Sequence, residues 1–243
     1  MNTIVAAAEA GMLNDVERLR IISHNLANVS TVGFKREFAV TRPFAELLAA
    51  GNSTVAANVA TTPIIATHTD RSAGALTHTG NPLDLAIEGD AYFVIDTGTQ
   101  EAYTRQGTFR LNADGELVTV AGQPVLTNAG EVRLTSPAPV IDADGTIHDG
   151  DTVVGQLKLV TITNPESLRD LGGGLLAAND STTVAPSEIT RVRQGFNEAA
   201  NVATMNEMIR MIETVRHFET SQRLILGYDA MLGRAITDLG NAQ

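Results

Sequence analysis

Apolar residues recur at strict sevens near the C-terminal end of the chain, at Met211, Phe218, Ile225, Leu232 and Leu239. A second set three residues ahead of them, Met208, Val215, Gln222, Asp229 and Ile236, completes the a and d positions of a heptad, with Gln222 and Asp229 as polar exceptions. The span from Asn201 to Leu239 holds no Pro, and Gly227 and Gly233 are its only glycines. It predicts a helix of about 35 to 40 residues, about 55 Å long. At the opposite end Val5, Met12, Leu19 and Leu26 also repeat every seven, supported by Ala8, Val16, Ile22 and Val29. They predict a second helix from about Thr3 to Asn28. A rod with one apolar stripe cannot bury it alone, so the two seams call for partners in this chain or in a neighbour.

Between the helices the period changes. Asn28 and Gly33 are candidates for a left-handed helix end, because Asn and Gly tolerate positive φ. Phe34 and Phe38 alternate with polar residues as an extended segment would, and Pro43 to Leu48 reads as a further helical turn or two. Residues 49–75, rich in Ala, Thr, Asn, Ser and Gly, read as a surface connection with a β-leaning patch at Pro63 to Thr67. From Leu76 the period is two. Leu83 to Ile87, Tyr92 to Ile95, Thr108 to Leu111, Leu117 to Val120, Val132 to Leu134, Val140 to Asp142 and Val153 to Ile162 alternate with turn signals such as Gly89-Asp90, Asn112-Ala-Asp-Gly115 and Asp142-Ala-Asp-Gly145. Short strands with short turns mean an antiparallel β domain and not βα units. Asn164-Pro165-Glu166 predicts a short helix running to Gly172-Gly173-Gly174.

The expected fold class is therefore α+β: long N- and C-terminal helices forming a coiled-coil-like pair, with an inserted, mainly antiparallel β domain. The expected organisation is a helix and turn over 1–36, a connection over 37–75, the β domain over 76–196 and the second helix over 197–243.

Composition narrows the function classes. A formal net charge of -11 argues against a binder of nucleic-acid phosphates or anionic lipid, which needs clustered Lys and Arg. Trp is absent and aromatic residues make up only 4%, too few for base- or sugar-stacking platforms. With no Cys there is no disulfide, thiolate site or cysteine nucleophile. The N-terminal stretch lacks a basic n-region and its apolar run is broken by Glu9, so a cleaved secretory signal is not expected, and no stretch approaches the roughly 20 apolar residues of a membrane span.

Acidic loops raise the alternative of a metal-binding or hydrolytic β domain. Asp142-Ala-Asp144-Gly145 and Asp149-Gly-Asp151 resemble a calcium loop only superficially, because the twelfth position, which needs an acid, is Val153. His24, His68, His78, His148 and His217 fall at no metal-ligand spacing, apart from His68 and His78, which share a polar connection. There is no Gly-x-Ser-x-Gly elbow, and Gly172 to Gly174 follows a helix-like segment instead of a strand. No catalytic residue, cofactor or metal is expected.

Three blocks carry a family resemblance. Ser23-His24-Asn25-Leu26-Ala27-Asn28-Val29-Ser30-Thr31-Val32-Gly33-Phe34-Lys35 resembles the signature of bacterial flagellar basal-body rod and hook proteins, usually written SxNLANxxTxGFK. Thr79 to Asp90, Tyr103-Thr104-Arg105-Gln106-Gly107 and Asp114 to Val118 resemble the central β domain of that family. Asn197-Glu198-Ala199-Ala200-Asn201-Val202, Met205 to Arg216, Phe218-Glu219 and Met231 to Arg234 resemble its C-terminal helix. His24, Val32 and Ala91 depart from the usual Asn, Pro and Gly.

The resemblance implies an axial structural subunit of the flagellar basal-body rod, crossing the periplasm. Its terminal helices would pack with those of neighbouring rod subunits into a tube, with the β domain outside. It also implies export without a cleaved signal through the flagellar type III apparatus. Length and the modest connection over 49–75 resemble the proximal-rod members more than the slightly longer distal-rod ones. The expected assembly residues are Leu19, Leu26, Met211, Phe218, Ile225 and Leu232, with Asn25, Asn28 and Gly33 shaping the end of the first helix.

Overall fold

A computed structural model describes residues 2–41, 65–179, 182–187 and 190–240. It is an α+β chain with two helices and many antiparallel strands, dividing into two compact units: one of residues 1–27, 37–70 and 202–243, the other of 28–36 and 71–201. The helical turns expected over Pro43 to Leu48 lie outside the described residues.

The first unit holds both helices, α1 (Asn2–Ala27) and α2 (Thr204–Gly240). It also contains an antiparallel strand pair, Glu37–Thr41 with Ile65–Thr69. Part of the expected surface connection is thus paired strand. Asn25 and Glu207 approach at one end of the helices and Asp15 and His217 further along. Ten residues back on α1 match ten forward on α2, so the two run antiparallel.

The second unit is built on a six-stranded antiparallel sheet in the order Arg169–Gly172, Leu175–Ala177, Glu101–Thr104, Ala91–Asp96, Leu159–Ile162, Val184–Pro186. Both faces of its middle are covered. Phe93 and Ile95 join the larger core with Leu85, Phe109, Leu117, Val125 and Ile147. Tyr92 and Val94 point the other way into a smaller one with Tyr103, Val160 and Ile162. Alternation therefore vanishes on Ala91–Asp96, which reads as one continuous apolar run. The Phe93 and Phe109 rings meet edge to face, 5.1 Å between centroids.

Two expected elements differ. Asn164-Pro165-Glu166 starts only a 3-10 turn, Pro165–Ser167, and the chain then enters strand Arg169–Gly172 and reverses at Gly172 to Gly174 into Leu175–Ala177. Asn164 makes no side-chain cap, and three consecutive glycines of positive φ suit a tight reversal better than a helix end. The single strand expected from Val153 to Ile162 is two. The backbone N–H groups of Leu157 and Lys158 donate to Gly145 and Leu126, which diverts the chain between sheets.

The acidic loops serve as turns. Gly145 N–H donates to Asp142 O, and Gly145 takes φ +84°. Hydrogen bonds from Thr146 hold the Asp144 carboxyl below its ordinary range. The Asp149 carboxylate accepts from the Thr135 hydroxyl and the Thr135 and Ser136 N–H groups, and the Thr135 hydroxyl is the chief cause of its lowered pKa.

A side chain at Gly107 would sit 1.6 Å from Leu85 O, so Gly107→Ala is expected to destabilise the β unit by about 2 kcal/mol or more. Gly227, on α2, faces open space, and Gly227→Ala is expected to stabilise the helix by up to about 1 kcal/mol. Denaturant unfolding should show opposite signs. For Asp149, the folded protein binds fewer protons than the unfolded chain between the two pKa values, so its contribution is complete above the ordinary aspartate pKa of about 3.9 and lost as pH falls through the lowered one. The melting-temperature gap between the parent and Asp149→Asn should be constant at neutral pH and close in acid.

Candidate assembly surface and helix-end signature

Within the first unit, α2 turns a mixed face inward. Met211, Phe218, Ile225 and Leu232 are half-buried, as are Leu19 and Leu26 on α1, so all six expected seam residues lie on partly covered faces. The companion line differs from expectation: Met208, Val215, Gln222 and Asp229 are exposed, and Thr214, Ser221 and Tyr228 are the half-buried residues between the seam positions. The second line lies three residues after the first instead of before it. Its small and polar side chains gave no apolar signal, whereas Met208 and Val215 did. On α1, Val16 is likewise exposed and Asp15, one residue earlier, is buried.

The displaced apolar residues form a surface of their own. Met205, Met208, Ile209 and Ile212 are 70%, 50%, 48% and 53% exposed and fall at i, i+3, i+4 and i+7, one face of α2. Leu13 and Val16 are comparably bare on α1.

Asn25 is completely buried, and its side-chain amide brackets one backbone residue: Nδ2 donates to Glu37 O at 2.7 Å and Glu37 N–H donates to Oδ1 at 2.9 Å. It thereby supplies the pairing that a neighbouring strand would give at the start of Glu37–Thr41. Asn28 is not left-handed, since every positive φ among the described residues belongs to glycine. It acts through its side chain, accepting from the Thr31 hydroxyl, while its carbonyl accepts the Thr31 N–H. Gly33 does take φ +68°, and any Cβ there would lie 2.8 Å from the Arg105 backbone.

Within the second unit, all three sequence blocks converge on Glu198, which is 1% exposed. Its carboxylate accepts from Lys35 Nζ at 2.5 Å, Arg105 Nη1 at 3.3 Å and the Gly74 N–H at 2.8 Å. Arg105, itself buried, also donates to Ile87 O and Gly89 O and lies 5.2 Å from the centre of the Tyr92 ring. Glu198 O accepts the Gly33 N–H, and Asn201 accepts the Arg36 N–H. Lys35, Arg105, Glu198 and Asn201 were missed from the sequence. Their signal was a cation or carboxylate inside each block, with no local cue that they meet.

These groups hold structure: carboxylates are matched to cations and backbone donors, and among the described residues no three His, Cys, Asp or Glu cluster as a metal site. No described helix is long and apolar enough to cross a membrane. The described polar groups hold the fold together, and the bare apolar face of α2 is the kind of surface that a protein partner covers.

Two family models match the chain: the flagellar hook protein FlgE/F/G D1 domain over residues 86–169, and the flagellar basal body rod FlgEFG protein C-terminal region over 193–238. The chain is 33% identical to the flagellar basal-body rod protein FlgG of Bacillus subtilis (strain 168), covering 92% of this chain and 94% of that one. It is 33% identical to the rod protein FlgF of Rhizobium meliloti (strain 1021) over 100% of both, and 32% to FlgF of Escherichia coli (strain K12) over 97% of both. The chain belongs to the flagellar basal-body rod family. It is a non-enzymatic structural component of the flagellar basal body that assembles with other rod subunits.

Removing the charge of Glu198 with Glu198→Gln takes a carboxylate from two largely buried cations, Lys35 and Arg105, an expected loss of about 3 kcal/mol in denaturant unfolding. Lys158→Ala, which breaks the more exposed pair with Glu101, is expected to cost under about 1 kcal/mol.

Proposed function

We propose that this chain is a proximal-rod subunit of the FlgF type, polymerising through its terminal helices into the axial shaft that turns the flagellum. The observation that carries this reading is the exposed row Met205, Met208, Ile209 and Ile212 on α2. Water-facing apolar rows of this kind mark interaction surfaces. The end-to-end match with a FlgF chain supports the proximal type. The equal identity to a FlgG chain supports a distal-rod subunit as the second reading.

In this reading the helices are a coiled-coil-like pair with two jobs. Leu19, Leu26, Met211, Phe218, Ile225 and Leu232 pair α1 with α2, while Met205, Met208, Ile209, Ile212 and Leu13 face neighbouring subunits. Asn25, Asn28 and Gly33 shape the chain's exit from α1. Residues 1–36 and 197–243 form the axial core, 37–75 the connection, and 76–196 the β domain. Partnership with the flagellar type III export apparatus, without a cleaved signal, follows from the family resemblance.

Ile212→Asp is expected to leave the purified subunit's melting temperature unchanged, because the residue is already in water, and to abolish incorporation into rods and motility. Phe218→Asp is expected to lower both stability and incorporation. If Ile212→Asp cells assembled rods at the parental level, the exposed row would not be the polymer contact.

A further inference from the structure

The apolar seam of the helix pair contains an ambiguity. Extending the antiparallel register set by Asn25 with Glu207 and Asp15 with His217, Asn2 falls opposite residue 230. About ten residues of α2, roughly 15 Å, then run past the start of α1. Because both seams repeat every seven residues, α1 could slide one heptad along α2 into that free length. Ile22 would move from beside Arg210 and Met211 to beside His217 and Phe218, and Ala8 from beside Leu224 and Ile225 to beside Met231 and Leu232. Apolar contact is nearly the same in both registers. Sliding the other way is different, since α2 begins at Thr204 and Ile22, Asn25 and Leu26 would lose their cover.

Two buried carboxylates break the ambiguity. Asp15 is 1% exposed, with His217 Nδ1 2.5 Å from Oδ2 and Arg18 at 3.9 Å. Glu207 is 2% exposed, accepts from Asn25 Nδ2 at 3.4 Å, and lies 3.5 Å from Arg210. In the slipped register Leu224, seven residues beyond His217, would take the place of His217 beside Asp15, and Glu207 would lie beyond the end of α1. Arg18 and Arg210 would travel with their carboxylates, but the cross-helix partners His217 and Asn25 would be lost, and Asp15 would be set against an aliphatic side chain.

We propose that Asp15 and Glu207, with His217 and Asn25, form a two-point register lock that holds α1 one heptad short of an otherwise equivalent position on α2. Polar groups on an apolar seam select a register in this way elsewhere. The lock rests on the helix pairing proposed above and acts within one chain, so it is testable without assembly.

The chain has no native cysteine, so engineered pairs report cleanly. Leu19→Cys with Thr214→Cys reads the native register, and Leu19→Cys with Ser221→Cys reads the slipped one. A heptad is about 10.5 Å of helix, beyond the Cα separation a disulfide spans. In monomeric protein the native pair should oxidise and the slipped pair give a trace at most. In the Asp15→Leu, Glu207→Ala background, verified as helical by circular dichroism, the slipped pair should rise to a yield comparable with the native one. The isosteric Asp15→Asn, Glu207→Gln background keeps the polar shape and should return to the native pair alone. It also decides the matter if the first background fails to fold: slipped product there overturns the lock. An exclusively native disulfide in a folded Asp15→Leu, Glu207→Ala protein overturns it too, since the covalent ends of the helices would then suffice. No native disulfide in the parent would sink the pairing itself.

Discussion

The β unit depends on a carboxylate that water does not reach. Glu198 gathers Lys35, Arg105 and the Gly74 amide, and so ties residues just beyond α1, the loop before the β domain and the strand region after Tyr103 to the segment leading into α2. A buried cluster of this kind is a poor source of net stability compared with apolar packing, but it is intolerant of substitution, because each member left alone is a desolvated charge. Lys35, Arg105 and Glu198 are thus largely buried charges that hold one another in place. Gly33 belongs to the same constraint: its positive φ and its close approach to the Arg105 backbone let the chain carry Lys35 to Glu198.

The two units solve different problems. The β unit closes on itself with both faces of Ala91–Asp96 covered. The helical unit closes only in part, leaving Met205, Met208, Ile209 and Ile212 in water beside a half-buried seam. The β unit's exposed apolar residues, such as Val120, Val140 and Val153, lie on separate short strands and turns, whereas those of α2 fall at helical spacing along one face.

Element types were legible where a single period ran long enough. The sevens at Met211, Phe218, Ile225 and Leu232 marked a face that is indeed partly covered, and the alternation after Leu76 gave the antiparallel strands. The second line of the seam was misplaced because Thr214, Ser221 and Tyr228 carry little apolar signal, while Met208 and Val215 are apolar yet exposed. Pro165 predicted a helix from local chemistry, and strand pairing with Leu175–Ala177 overrode it. Asn28 was expected to turn the backbone itself, yet it does so through its side chain. The Glu198 cluster was invisible because its members lie far apart in the chain, and ion pairing across such distances has no periodic trace.

The opposite directions of α1 and α2 also bear on the electrostatics of the helical unit. Each helix carries roughly half a positive charge at its start and half a negative charge at its end. Antiparallel packing sets the amino end of one beside the carboxyl half of the other, so the peptide dipoles of a single subunit largely cancel along the helix axis. What stays unbalanced is the stretch of α2 that runs past the start of α1, so the residual partial charge of the pair is negative and sits at the carboxyl end of α2.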